Sequence, residues 1–208
     1  MEKIFYSGGV LMFPLLLCSI ISLTVIIERS LFWIGVGMKR NRKVVDQVFD
    51  LCLKEDWDGV QKVTAGSKSY VARILLSGVM HRQYSPIKAM ELAAADEIFS
   101  MQRFMNVLDT IITIAPLLGI LGTVVGIIET FDMLGTSGID NPQAVTGGIA
   151  KALITTASGL AIAIMTVFPY NYFNTCIQRA AQIIEKYTTS FEIDQDRRLL
   201  CPEEGHEA

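Results

Sequence analysis

Three apolar runs, each long enough to cross a bilayer as a helix, constrain this chain more than any other feature. They fall at residues 10–34, 108–131 and 145–169. A hydrocarbon core of roughly 30 Å takes about 20 apolar residues at 1.5 Å each. Hydrophobic residues make up 51% of the 208. They are clustered, whereas a soluble domain of this size disperses them into amphipathic patterns. The runs predict an all-α membrane protein with three transmembrane helices and membrane lipid as its first partner. The formal net charge of −3 sums both sides of a membrane and says little. No basic stripe with interleaved aromatics is present, which argues against nucleic acid.

The first run is expected to stay in the protein. It is too long for the apolar part of a cleaved leader, and Glu28-Arg29 stand where small residues would be needed. The four cysteines, Cys18, Cys52, Cys176 and Cys201, lack the paired spacing of a zinc or redox motif and are expected to be reduced and structural.

The charge pattern predicts the topology. Lys39, Arg40, Arg42 and Lys43 follow the first run, whereas the link between the second and third runs carries Asp132 and Asp140 with no Lys or Arg. The positive-inside rule then places the N-terminus outside and the C-terminus in the cytoplasm. The chain is expected to divide into an external N-terminus and first span (1–34), a cytoplasmic helical region (35–107), a second span (108–131), a short external loop (132–144), a third span (145–169), a cytoplasmic helix (170–193) and an acidic, disordered tail (194–208).

The region between the first two spans reads as helical. Val44, Val45, Val48, Phe49 and Cys52 form one apolar stripe, and Val71, Ile74, Leu75 and Val79 form another. Ser85-Pro86 is a helix start, with a capping hydroxyl and a proline at the first turn. Ile87, Ala94, Met101 and Leu108 then recur every seven residues. Ile98 and Met105 fall four residues after Ala94 and Met101. This seam predicts one unbroken helix from Pro86 to Phe131. Beyond Pro169, which a membrane helix tolerates, Phe173, Ile177, Ala180, Ile184, Tyr187 and Phe191 keep a three-four spacing and predict that the third helix continues.

No nucleophile motif, Walker loop or dinucleotide fingerprint is present, so no enzyme, cofactor or metal site is expected. His81 is expected at the surface. The second and third spans are the informative region. Thr113, Pro116, Ile120, Thr123, Ile127 and Thr130 fall on one face of the second. Gly119, Gly122 and Gly126 form small-residue notches. In the third, Ala152, Thr156 and Ala163 share a face, and Thr155, Gly159 and Ala163 form a small stripe. Two readings stand side by side. One is tight helix packing, with threonine hydroxyls bonded to their own backbone. The other is a pore wall, in which hydroxyls hold polar species within lipid surroundings.

Three stretches resemble the ExbB/TolQ/MotA family: Gly8-Gly9-Val10-Leu11-Met12-Phe13-Pro14-Leu15-Leu16 followed by Ile27-Glu28-Arg29; Ile114-Ala115-Pro116-Leu117-Leu118-Gly119-Ile120-Leu121-Gly122-Thr123-Val124-Val125-Gly126; and Gly147-Gly148-Ile149-Ala150-Lys151-Ala152-Leu153-Ile154-Thr155-Thr156-Ala157-Ser158-Gly159-Leu160. The matches are co-linear and cover nearly the whole chain. The resemblance implies a ring-forming oligomer, understood as a homo-pentamer, in the bacterial inner membrane. It implies an ExbD/TolR-like single-span partner inside the ring, carrying a membrane-embedded Asp that takes up a proton or sodium ion. A TonB- or TolA-like periplasmic rod would be the energised protein. It also implies that Thr123 and Thr156 are pore-lining hydroxyls beside the partner carboxylate. Thr113 and Thr130, on the same helical face as Thr123, are expected to line the pore with it. Pro116, Gly119, Gly122, Gly126 and Gly159 are the packing positions. Lys151 departs from the family's pattern, since its position is a Glu in ExbB and TolQ. It is expected to snorkel to the external headgroups. The alternative is that it turns inward and pairs with an acidic group such as Glu129, making the two charge modulators. Other classes are a membrane scaffold without ion flow and a flagellar-stator-like subunit, the latter disfavoured by three spans and a small loop.

Overall fold

The computed structural model describes residues 9–38, 47–48, 50–51, 56–64, 69–81, 84–137 and 142–200. The basic flank at 39–43, the stripe positions Val44, Val45, Phe49 and Cys52, Asp140, and the end of the tail at 201–208 lie outside the described residues. Among the described residues the chain is all helix, with no strand. The elements are α1 (Met12–Met38), α2 (Trp57–Thr64), α3 (Tyr70–Met80), α4 (Pro86–Gln102), α5 (Met105–Ser137) and α6 (Pro142–Leu200). Three stretches are long and apolar enough to cross a membrane: Met12–Gly35, Pro86–Gly135 and Val145–Ile193.

Two expectations about the elements are corrected. The seam from Pro86 to Phe131 is not one helix. It stops at Gln102 and restarts at Met105, with Phe104 at a φ of 63°. That left-handed backbone costs a non-glycine residue about 1–3 kcal/mol and persists only where its surroundings hold it. The Arg29 guanidinium, itself only 2% exposed, lies 5.8 Å from the Phe104 ring centroid. The second correction concerns the helix ends. α5 runs to Ser137 and α6 begins at Pro142, so most of the expected external loop at 132–144 is helical. Likewise α6 stays helical to Leu200, past the expected start of the tail at Asp194. Pro169 lies inside α6 without ending it, because neighbouring groups can take up the one backbone bond it removes.

The chain forms two units: Met1–Ser30 with Phe104–Phe173, and Leu31–Arg103 with Asn174–Ala208. In the second unit α3 and α4 form an antiparallel helical pair. Val71, Ile74, Leu75 and Val79 are buried, as the spacing predicts. Gly78 admits the fully buried Met90 side chain, and the Ser77 hydroxyl donates to the Ala89 carbonyl at 3.1 Å. Arg73 forks onto Glu97 through two bonds of 2.7 Å. Ser85 and Pro86 start α4, although the Ser85 hydroxyl makes no capping bond. His81 is exposed, and its Nδ1 meets the Ser77 carbonyl at 2.9 Å.

The first unit is built from α1 to Ser30, α5, and α6 to Phe173. Met12 and Leu15 of α1 pack with Ile111 and Ala115 of α5, joined by Cys18, Leu118 and Ile162. One face of α1 is bare: Phe13, Leu17, Leu23 and Ile27 are all more than half exposed. An apolar surface of this extent belongs in lipid rather than in water.

Candidate functional site

α5 and α6 approach closely because small residues line their contact. A Cβ on Gly126 would stand 2.9 Å from the Ala152 Cβ, and one on Gly119 would stand 3.0 Å from the Thr156 Cα. A Cβ on Gly159 would meet the Ala115 carbonyl oxygen, and one on Gly122 would meet the Thr155 side chain. The expected packing glycines therefore all lie in this contact. Pro116 is half-buried within α5.

The threonines separate into distinct roles. Thr156 donates to the Gly119 carbonyl of the facing helix at 2.7 Å. This is a direct interhelical bond, from a hydroxyl that has few alternatives in lipid. Thr123 donates to the Ile120 carbonyl at 2.6 Å, and Thr113 to the Asp109 carbonyl at 3.1 Å, both within α5. Thr130 is corrected from the pore-facing set. It is 5% exposed within a single chain, packed against Gly148, with its hydroxyl on the Gly126 carbonyl at 2.7 Å. A side chain enclosed between two helices of one subunit has no surface left for a lumen. Thr155 is 1% exposed and bonded to the Lys151 carbonyl at 3.0 Å.

At about 100° per residue, Asp109, Thr113, Pro116, Ile120, Thr123 and Ile127 fall within about 40° of one line along α5. Glu129 lies about 160° from that line, on the side of Ile111 and Leu118, which face α1. The α5–α6 pair thus has two flanks. One is covered by α1. The other is uncovered within the chain and carries Asp109, Thr113 and Thr123, with Thr156 and Tyr170 on the matching side of α6.

Lys151 belongs to the covered flank, and the expectation that it reaches for headgroups is corrected. Its Nζ lies 3.3 Å from the Glu129 carboxylate, the two side chains being 36% and 49% exposed. Its methylenes lie against Gly9, which has a φ of +74° and no side chain to obstruct them. Gly9, Val10, Val125, Glu129 and Lys151 line a recess of about 100 Å³ there. An ammonium within an apolar span gains more from a carboxylate 3.3 Å away than from an unpaired path outward.

Asp109 was not singled out by the sequence motifs. Tyr170 of α6 lies near it. The available signal was its four-residue offset from Thr113, on the threonine line. No group of three or more His, Cys, Asp or Glu suited to a metal ion occurs among the described residues.

Comparison with known proteins follows the same helices. Residues 66–186 match the MotA/TolQ/ExbB proton channel family. The chain is 34% identical over 203 residues to the ExbB-like 3 biopolymer transport protein of Synechocystis sp., covering 95% of this chain and 96% of that protein. It is 40% identical over 174 residues to the ExbB-like 1 protein of the same organism, covering 80% of this chain and 67% of that one. The Tol-Pal system protein TolQ of Haemophilus influenzae is 34% identical over 107 residues, half of this chain and 47% of its own length. With three membrane-span helices, the family's match across the second and third, and a relative aligned along nearly its full length, the chain belongs to the MotA/TolQ/ExbB proton channel family.

Proposed function

We propose that this protein is the channel-forming subunit of an ion-driven motor in the bacterial inner membrane. In this reading several copies, five by the family resemblance, form a ring with α5 and α6 turned inward and α1 toward lipid. An ExbD/TolR-like single-span partner occupies the ring, and its Asp exchanges a proton or sodium ion. The motion energises a periplasm-spanning protein of the TonB or TolA kind. The N-terminus lies outside and the C-terminus in the cytoplasm.

The observation that carries this reading is the uncovered flank of the α5–α6 pair. It bears Thr113 and Thr123 among exposed apolar residues such as Ile120 and Ile127. A face wholly meant for lipid has no use for this hydroxyl row. Thr123 bonds only its own backbone, so its second lone pair and the polarity of its oxygen remain directed at whatever covers the flank.

A scaffold without ion flow is supported by one observation: every threonine discussed above already has an acceptor within the chain. Coexpression with a single-span partner and measurement of proton-driven uptake separates the two. A motor predicts that Thr123→Val abolishes or severely lowers energised transport while the complex still assembles. Full transport in Thr123→Val with normal assembly supports the scaffold.

A further inference from the structure

We infer that Lys151 and Gly9 form a clasp that fastens the start of α1 to the α5–α6 pair, which makes Lys151 a positioning residue for the flank that stays open. This deepens the motor reading and, for its effect on transport, rests on it.

Three elements meet at one side chain. Lys151 belongs to α6, and its Nζ bonds the Glu129 carboxylate of α5 at 3.3 Å. Its stem lies against Gly9, where a Cβ would stand 2.5 Å from the Lys151 Cε and 3.0 Å from its Nζ. Gly9 leads directly into α1, since its carbonyl accepts from the Met12 N–H at 3.1 Å. Glycine is required here for two separate reasons. The φ of +74° suits a residue without a Cβ, and the lysine stem fills the space a Cβ would take. The bond to Glu129 does not by itself fix that stem. A recess of about 100 Å³ lies beside it, lined in part by Val10 and Val125, and a lysine stem is flexible enough to swing there. Contact with Gly9 along the stem and with Glu129 at the tip removes that freedom.

The clasp holds the end of α1 that covers one flank of the pair. Met12 and Leu15, 8% and 1% exposed, enter a small cluster with Ile111 and Ala115. Around them Phe13, Leu16 and Leu17 stay exposed, so apolar packing holds this part of α1 along one narrow seam. In lipid such a seam has little directional preference, because acyl chains are as apolar as leucine. An ion pair does have one, since parting it leaves a charge unpaired within an apolar span. Glu129 lies on the side of α5 away from Thr113 and Thr123, so the pair keeps α1 off the hydroxyl-bearing flank. A loosened α1 would bring its bulky side chains into competition for the surface that a partner helix needs.

The test reads Cys18, which packs against the Met12–Leu15 cluster. The full-length chain is coexpressed with its single-span partner. Membranes are treated with a membrane-permeant thiol reagent, and mass spectrometry of the Cys18 peptide gives the labelling rate. Proton-driven uptake per assembled complex is measured in the same cells. Asparagine tolerates a positive φ, so Gly9→Asn introduces chiefly the collision with Lys151. Gly9→Asn and Lys151→Ala are each expected to raise Cys18 labelling severalfold and to lower uptake. The two changes together should do no more than either alone, because both open the same clasp. Lys151→Met, which keeps most of the stem, should fall between wild type and Lys151→Ala. Additive effects of Gly9→Asn and Lys151→Ala overturn the clasp. So does unchanged Cys18 labelling in Lys151→Ala, which decides the matter even if Gly9→Asn does not fold. Raised labelling with wild-type uptake overturns the positioning role while the motor stands. If the wild type drives no uptake, the motor reading falls, and Cys18 labelling still judges the clasp.

Discussion

Thr123 and Thr156 carry the same side chain but use their hydroxyls differently. Thr156 joins two helices, while Thr123 bonds within its own turn. Thr→Val at the two sites should therefore differ. Thr156→Val is expected to lower the thermal stability of the α5–α6 pair by about 0.6–1.7 kcal/mol, and Thr123→Val to leave it nearly unchanged; thermal unfolding in detergent checks this. Thr155 neighbours Thr156, but its burial against Gly122 makes it a packing residue and not a neutral comparison. The Lys151–Glu129 pair allows a second residue-scale test. Lys151→Glu faces one carboxylate with another and should impair assembly more than Lys151→Met. The double variant Lys151→Glu with Glu129→Lys should recover most of the loss, because the attraction depends on opposite sign and not on which helix bears which charge. Native gels of the assembled protein read the outcome, and failure of the swap to recover assembly would show that the pairing is not what matters.

At the scale of elements, the glycines decide how near α5 and α6 can come. A Cβ at Gly159 meets the Ala115 carbonyl oxygen, which is backbone and cannot rotate away. Gly159→Ala is expected to destabilise the pair by about 1–3 kcal/mol, and Gly159→Leu to prevent the native contact; thermal unfolding in detergent reads both. A substitution at Gly135 meets nothing within 4 Å and should be tolerated. The break between α4 and α5 is also an event of this scale. No glycine, proline or asparagine marks Arg103 and Phe104, so the seven-residue seam runs across them without a sign of interruption. The left-handed turn at Phe104 occurs with Arg29 of α1 over its ring, a contact between residues far apart in the chain. Periodicity along one segment has no access to that contact.

For the whole molecule, the unequal composition of the three apolar helices makes a prediction about surroundings. Cysteines at Leu17 and Leu23, on the bare face of α1, should react with a lipid-soluble label and crosslink poorly. Cysteines at Thr113, Ile120 and Ile127 should crosslink to a neighbouring copy or to the single-span partner. Dense crosslinking of α1 around an axis would overturn the inward placement of α5 and α6. Orientation is tested separately with an impermeant maleimide on spheroplasts. A cysteine at Gly135 should label from outside, and one at Tyr84 only after lysis.

Length and apolarity alone mark the three membrane helices, since a bilayer imposes one requirement that a chain meets locally or not at all. The glycine and threonine spacings likewise disclose that α5 and α6 pack by small residues, because helical period converts sequence separation directly into a face. Which face each helix turns to which neighbour is another matter. Thr123 and Thr130 lie about 20° apart on a helical wheel, yet Thr130 is enclosed by Gly148 while Thr123 lies on the flank that α1 leaves open. Lys151 could have reached outward or inward, and the choice rests on Glu129 lying opposite it and on Gly9 having no side chain in the way. These assignments depend on distances between helices, and those distances exist only once the chain has folded.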